Sequence, residues 1–501
     1  MRCSGTRARS DWRWLLPNPG TTSTCPRTCA GLPPSCARSP RERLAPPRCL
    51  RRGDRARKLT MTTAQDDDTK RIRASYRIWA GGAIIGLALL TFGLIRPDDG
   101  TVPFFVLLAL AAVGYFATLY QVANGLRPSG RALIACAGLA LAWRVPMLLA
   151  PPEPGADLRR YVWDARVVRA GLSPYAVIPA DPAFAFLRTS ESWPMNNPDV
   201  PSPYSPGAQL FFLAATTPSE SARAIKVAAL VCDALLALVI WRSLVAAGAN
   251  PGWVLAYLWS PLVSLEVARH GHLDVVGALC VAFAAFALLR GRALLGSIAF
   301  AMSVAVKPLP IVLLPLLWRR VSRRHLVAGF AVLLALYLPF WDRRRLPIGS
   351  VADVVVRFRF NGPIFSEVAS LAGPAAATGF AIAAGLAVAA WARRRLPLAS
   401  AQAWAWPMAA ALLCAPLVYP WYVVWLAPFL VAPQTMPLTI WTVSILSTYV
   451  VWRLVGVPWA VPGWALLVEY GALLGAALWL WRRNRLGRGA ELSSSPSTSA
   501  P

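Results

Sequence analysis

Two carboxylates and four guanidinium groups crowd into DLRRYVWDARVVR, residues 157–169, in a chain that is otherwise one apolar run after another. On a helix, Asp157, Arg160, Tyr161 and Asp164 are spaced by three, four and seven residues and share one face. A carboxylate among several Arg stays ionised, and in that form it can accept a proton or orient a hydroxyl group. The same pattern also suits an amphipathic helix at a membrane surface, closed by its own ion pairs and anchored by Trp163. The stretch runs on to Gln209 as a polar, Pro-rich loop.

The elements that must position this loop are read from the rest of the chain. It has 501 residues, 56% of them hydrophobic and 15% charged, with a mean hydropathy of +0.48. Such a composition excludes a soluble domain and predicts an all-α, polytopic membrane protein. The formal charge of +28 falls in short Lys/Arg clusters between apolar runs, as membrane topology requires, and does not point to nucleic acid.

Residues 1–60 stand apart, with 13 Arg and one Lys against three acids and five of the nine Cys. They show no periodicity and no apolar stretch of signal-peptide kind, and they read as a disordered or mis-assigned extension. Residues 61–78 then form a cytoplasmic lead-in to a transmembrane domain over 79–481, and 482–501 a cytoplasmic polar tail. Placing Lys70, Arg71, Arg73 and Arg77 inside puts Asp98 and Asp99 outside, Arg127 and Arg131 inside, and Asp157 outside. The same alternation carries on to Arg482, Arg483 and Arg485 at the inner end of the last helix, with about 14 membrane segments. Several of these are short enough to be broken or re-entrant. Two large external loops result, 151–224 and 342–370. Cys136, Cys232, Cys280 and Cys414 lie in apolar runs as small buried side chains.

Basic residues on the disfavoured side carry information. Arg159, Arg160, Arg166 and Arg169 lie in the first external loop, Lys307 at a hairpin tip, and Arg343, Arg344, Arg345, Arg357 and Arg359 in the second loop. They imply an anionic ligand at the outer interface, and a lipid-linked phosphate matches both the depth and the guanidinium geometry. Lipid head groups, or ion pairs with Asp342 and Asp353, are the plainer explanation.

Other polar groups have two readings each. His272 and Asp274, beside Arg269 and His270 at an external helix end, suit either sugar or phosphate binding or a helix cap. With three His in the chain and His325 on the cytoplasmic side, a His-rich metal site is not expected. Asp233, Glu266 and Glu469 lie in apolar runs and need partners there, which predicts structural pairs before catalysis. Trp421, Tyr422 and Trp425 can stack on sugar, line a prenyl groove or belong to an interfacial aromatic belt.

Six runs, in order, carry a resemblance: DLRRYVWDARVVRAGLSPY from Asp157, SPYSPGAQLFF from Ser202, GHLD from Gly271, VKPLPIVLLP from Val306, FNGPIF from Phe360 and YPWYVVWLAP from Tyr419. Together they resemble bacterial glycosyltransferase family 87 and related polyprenyl-phosphate-mannose-dependent mannosyltransferases of the GT-C superfamily. Ala165 stands where that family commonly has Gly, Ser173 where it has Asn, and Tyr419 where many members have His.

The resemblance implies inverting transfer of a hexose, with mannose as the expected sugar, from a polyprenyl-phosphate donor to an envelope lipid or glycan acceptor. The chemistry would lie at the external face of the bacterial cytoplasmic membrane. Asp157 would be the general base and Asp164 a second, orienting acid. Arg160, Arg166, Lys307 and Arg359 would hold the donor phosphate. Tyr161, Tyr175, Tyr204, Gln209, His272, Asp274, Asn361, Trp421 and Tyr422 would contact substrate. No cofactor and no divalent metal is expected. The partners are the lipid bilayer, the donor and the acceptor, with no nucleic acid. A transporter or flippase, or an envelope glycan polymerase, is the competing reading; the former would favour internal repeats and midplane charge.

Overall fold

A computed structural model describes residues 76–152, 156–341, 347, 349–350, 358–454 and 460–493, with side chains to Arg485. The proposed extension 1–60, most of the 61–78 lead-in, the end of the tail, and Arg343, Arg344, Arg345, Arg357, Asp342 and Asp353 lie outside the described residues. The described chain is helical, and its one β-type contact is an isolated parallel bridge between Phe360 and Leu417.

Among the described residues, eight helices are long and apolar enough to cross a membrane: Tyr76–Ile95, Val102–Ala123, Gly130–Leu149, Ala222–Ala246, Arg323–Phe340, Pro374–Arg395, Pro433–Arg453 and Gly463–Arg485. Twenty residues at 1.5 Å rise give about 30 Å, the thickness of the hydrocarbon layer. Four shorter apolar helices accompany them: Pro206–Ala215, Asp274–Leu289, Ala293–Val306 and Pro363–Ala372. The molecule is an all-α, multi-pass membrane protein. Side chains such as Leu94, Val106, Ile134, Val231 and Leu474 expose apolar surface along the long helices, as contact with lipid tails demands.

We label the elements that matter for the site α1 (Tyr76–Ile95), α2 (Val102–Ala123), α3 (Gly130–Leu149), α4 (Asp157–Arg169), α5 (Pro206–Ala215), α6 (Ala222–Ala246), α7 (Asp274–Leu289) and α8 (Ala293–Val306). Local sequence sets their ends. Ser129 caps α3, its hydroxyl accepting from Ala132 N at 3.2 Å. Pro103 opens α2 and Pro206 opens α5, where a missing N–H costs nothing. α7 packs against α6 and α8, and α4 rests on α5 and α6.

The apolar run from Trp253 to Ala268 is broken. It folds as short turns at Pro251–Val254, Leu255–Leu258 and Pro261–Val263, then a π-helical turn at Ser264–Arg269. Ser260 and Pro261 interrupt the ladder, and the run is shielded by buried protein, where irregular backbone is tolerated at membrane depth. Trp259 packs edge-on to Trp143, with ring centroids 5.7 Å apart, and its Nε1 donates to Cys136 O at 3.1 Å. Inside this core Asp233 pairs with Arg144 at 3.0 Å and accepts from Tyr257 Oη at 2.6 Å, the partners a carboxylate in a span requires.

The two ends of the helix set separate into distinct groups. At one end Arg269 Nη2 reaches Asp99 at 3.2 Å, Arg453 pairs with Asp98 at 2.7 Å, and His272 faces Asp157. At the other, Arg320 donates to the carbonyls of Arg393 and Leu396, and Asn250 to that of Leu126.

Candidate active site

The site is built on α4. Asp157 is its first residue, Leu158 to Ala165 are buried apart from half-buried Arg159, and the helix carries the loop that follows it. Trp163, Val167, Val177, Leu187 and Met195 form a small apolar cluster that fastens the loop to the helix. Arg160 and Asp164 do the polar part of this work. Arg160 is buried and pairs with Asp164 at 3.0 Å, and its Nη1 and Nη2 donate to Asn197 O and Val200 O at 3.2 and 3.0 Å. Asp164 also accepts from Ser202 Oγ and from Gln209 Nε2, the latter at 3.0 Å. Three of the sequence-selected residues, Arg160, Asp164 and Gln209, therefore form one buried clamp that joins the start of α4 to the start of α5.

Arg166 and Arg169 are engaged as well. Both pair with Glu220, and Arg166 Nε donates to Leu187 O at 2.9 Å. Arg159 donates to the carbonyls of Ser190 and Trp193. Tyr175 Oη donates to Tyr204 O at 2.9 Å, and Tyr161 lies between Phe212, stacked at 4.3 Å, and Tyr204, edge-on at 5.1 Å.

Asp157 is oriented differently from these groups. Asn196 Nδ2 donates to its Oδ1, and its Oδ2 lies 4.0 Å from His272 Nε2. Its side chain keeps 19% of its accessibility, against 1% for Asp164. Of the two carboxylates on the helix, Asp157 is the one a reactant can reach.

Around it three chain segments converge. His272 stacks on Trp421 at 4.2 Å, Trp421 on Tyr419 at 4.4 Å, and Tyr419 on Phe360 at 4.4 Å, a column of four rings. Asp274, the first residue of α7, is fully buried; its Oδ1 takes Lys307 Nζ at 2.6 Å and Trp425 Nε1 at 2.7 Å. Lys307 Nζ also sits 4.2 Å from the Tyr422 ring centre. Burial, then the charges of Asp274, Tyr419 and Asp157, push the Tyr422 hydroxyl well above its ordinary range. The Tyr161 hydroxyl is raised by burial and by Tyr204, Asp157 and Asp274. Trp421 also packs edge-on to Tyr422, with ring centroids 6.1 Å apart, and so links Asp157 and His272 to Tyr422, Lys307 and Asp274.

Asn361 and Arg359 flank Phe360, the last ring of that column. Asn361, at φ +55°, sits just after the Phe360–Leu417 bridge and donates to Val418 O at 3.2 Å and to both oxygens of Glu469. Arg359 is half-buried, with its guanidinium over Phe365 at 4.7 Å.

Behind His272 lies a charged network. Glu266, buried in the π-helical turn, accepts from His272 Nδ1 at 2.9 Å, from His270 Nδ1 at 3.3 Å and from Tyr449 Oη at 2.8 Å. His270 Nε2 faces Asp99 at 3.2 Å. Burial alone would lower His270, but Asp99 and Glu266 outweigh it and raise it to about 9. Burial alone would raise Asp99, but His270 and Arg269 hold it below the usual carboxylate range. Glu266, His270 and His272 bring ligand atoms within 4.8 Å of one another, so they are the residues that could hold a metal. The same arrangement also suits a proton network: both Nδ1 atoms face one carboxylate oxygen, and Asp99 with Glu266 balances Arg269 with protonated His270. Metal ligation would require both imidazoles neutral.

Reading the sequence singled out the two His but gave Glu266 only a structural part; its position four and six residues before them was the available signal. Asn196, which orients Asp157, carried none, because it lies 39 residues away in an irregular loop.

Residues 80–322 match the family model described as "Alpha-(1->6)-mannopyranosyltransferase, N-terminal domain". The matched stretch holds Asp157, Asp164, Glu266, His272, Asp274 and Lys307, and stops before Asn361 and Trp421. No curated protein and no solved structure matches the chain. Residues 80–322 are thus similar to a mannosyltransferase family domain, and this match supports a glycosyltransferase of mannosyltransferase type in a multi-pass membrane protein.

Proposed function

We propose that the protein transfers mannose, with inversion, from a polyprenyl-phosphate donor to an envelope lipid or glycan acceptor at the external face of the bacterial cytoplasmic membrane. The observation that carries this reading is that an accessible carboxylate, Asp157, and a cation, Lys307, flank one aromatic group: His272, 4.0 Å from Asp157, stacks on Trp421, and Trp421 packs edge-on to Tyr422, whose ring lies 4.2 Å from Lys307 Nζ. Asp157 Oδ2 takes the proton of the acceptor hydroxyl as its oxygen attacks the anomeric carbon. The bond from that carbon to the phosphate oxygen breaks, and its electron pair leaves with the lipid phosphate.

Lys307 is the principal phosphate ligand in this scheme. An ammonium has three N–H donors; Asp274 takes one, and a phosphate can take another. Such a preplaced cation stabilises the charge that develops on the leaving group. Arg359 assists from the second loop. Arg160 and Arg166 act by holding the loop, since the three guanidinium nitrogens of Arg160 and the Nε and Nη1 of Arg166 already donate to protein acceptors. A monophosphate leaving group held by Lys307 needs no divalent metal, and the reaction is metal-independent. The external location follows from the charge alternation, which puts the end bearing Asp157 opposite the Arg-rich helix ends.

Radiolabelled mannose transfer by the purified full chain tests this, with polyprenyl-phosphate mannose and nucleotide-diphosphate mannose compared as donors, with and without EDTA. Transfer from the lipid donor alone, unaffected by chelator, is expected. Transfer from the nucleotide donor, or loss on chelation, contradicts the donor or the metal assignment respectively.

A further inference from the structure

Seven Arg gather far from Asp157 with no acid to balance them. Arg319, Arg320, Arg323 and Arg324 lie at or just before the start of the helix Arg323–Phe340, and Arg393, Arg394 and Arg395 end the helix Pro374–Arg395. The chain has no Asp or Glu between Asp274 and Asp342, or between Glu367 and Glu469, so neither segment brings a carboxylate of its own. Among the described residues none of the seven forms an ion pair. The far end of the first helix marks the distance from the transfer site. Phe340 packs edge-on to Tyr175 of the loop after α4, with centroids 5.9 Å apart, and the 18 residues of the helix put Arg323 about 25 Å away.

Backbone carbonyls hold the cluster together. Arg393 Nε donates to Trp318 O at 3.0 Å, and Arg320 Nη2 donates to the carbonyls of Arg393 and Leu396 at 3.0 and 3.2 Å. Arg320 Nη1 is buried without a hydrogen-bond partner. Burial, and then the neighbouring charge of Arg393, lower the Arg320 guanidinium below its ordinary value. Positive charges fixed this close favour an anion from outside the chain.

An open cleft of about 390 Å³ runs between the same two segments. Its walls meet at Gly385, where a Cβ would lie 2.9 Å from Val312. Leu386, Ala390, Arg393 and Arg394 line it at spacings of four, seven and eight, one face of a helix, and Leu314 and Trp318 line it opposite. From Leu386 to Arg394 the face changes from apolar to cationic over about 12 Å. Leu314 is 45% and Trp318 64% exposed, so the cleft opens outward, where lipid tails meet the long helices.

We propose that this cleft binds an anionic phospholipid, with an acyl chain along Leu314, Leu386 and Ala390 and its phosphate on Arg393 and Arg394. With Nε fixed on Trp318 O, Arg393 presents its two Nη nitrogens, which donate to no protein group among the described residues, to phosphate oxygens. Arg394 is exposed and adds a second guanidinium. Basic pockets between membrane helices take anionic head groups by this chemistry. The lipid supplies the negative charge that the two segments lack.

The test is native mass spectrometry of the full chain in detergent, titrated with phosphatidylglycerol, phosphatidylcholine or polyprenyl phosphate, each variant first checked for an unchanged melting temperature. Wild type is expected to retain phosphatidylglycerol about tenfold better than phosphatidylcholine. Arg393→Gln/Arg394→Gln should remove that preference. Ala390→Trp keeps every charge but fills the cleft, and it should lower phosphatidylglycerol retention. Equal retention of the two phospholipids by wild type overturns the proposal. So does undiminished phosphatidylglycerol retention in Ala390→Trp, which would reveal diffuse attraction to a basic surface. Polyprenyl phosphate displacing phosphatidylglycerol from wild type would overturn the choice of lipid. Should the Arg393 variant not fold, Arg394→Gln, at an exposed side chain, carries the charge arm beside Ala390→Trp. Sugar transfer plays no part in these measurements, so their outcome is independent of Asp157.

Discussion

Asn361 Nδ2 donates to both carboxylate oxygens of Glu469, at 3.0 and 2.9 Å, and ties the segment after the Phe360–Leu417 bridge to the last long helix. Glu469 is fully buried, and Trp441 Nε1 at 2.6 Å is its other side-chain donor. Replacing Asn361 by Ala strips a buried carboxylate of donors, a loss of about 1–3 kcal/mol or more for a charged group. A lower melting temperature in detergent is expected, and an unchanged one contradicts this role.

Gly277 of α7 faces the ring of Trp425 so closely that a Cβ there would lie 1.8 Å from Cη2. That approach is what lets Trp425 Nε1 reach Asp274. Gly277→Ala must displace the indole, at a cost of about 1–3 kcal/mol for overpacking, and so loosens the carboxylate that holds Lys307. The expected outcome is a lower melting temperature together with a raised donor KM. Wild-type values for both would show that the contact does not matter.

The long apolar helices were legible in the sequence because nothing but a spanning helix satisfies twenty consecutive apolar residues. The broken run between Trp253 and Ala268 was not, since hydropathy registers apolarity and cannot see that neighbouring protein accepts the freed backbone groups. Asp157 stood out in the sequence by its charged loop and the family resemblance, and Lys307 as a cation on the disfavoured side. What separates Asp157 from Asp164 was hidden: both sit on one helical face, and only the fold buries Asp164 under Ser202 and Gln209 while leaving Asp157 open. The partners of the first loop's Arg were hidden for the same reason, since Glu220 and the carbonyls of Asn197 and Val200 are distant in sequence.

Asp233 and Arg144 form a buried pair at 3.0 Å between α6 and α3. Removing one partner leaves an uncompensated charge, and Asp233→Ala is expected to cost about 3–5 kcal/mol. The double variant Asp233→Leu/Arg144→Met should recover most of that loss. Denaturation of the single and double variants checks this; a single variant of wild-type stability would contradict it.

His270 is raised to about 9 by Asp99 and Glu266 against the opposing effect of burial. A folded value above the unfolded one means that this contribution to stability is complete below the unfolded value, near 6.5, and is lost as pH rises through about 9. The melting temperature should therefore fall between neutral pH and pH about 10, and His270→Gln should flatten that fall. An equal fall in both proteins would assign it to other groups.

The most direct test of the account is the mannose-transfer rate of Asp157→Asn beside wild type, at matched melting temperature and with saturating polyprenyl-phosphate mannose. The substitution preserves shape and removes only the ability to take a proton, so a loss of about 100-fold or more in kcat is expected. Transfer at the wild-type rate by a folded Asp157→Asn protein would contradict the assignment of Asp157 as the base.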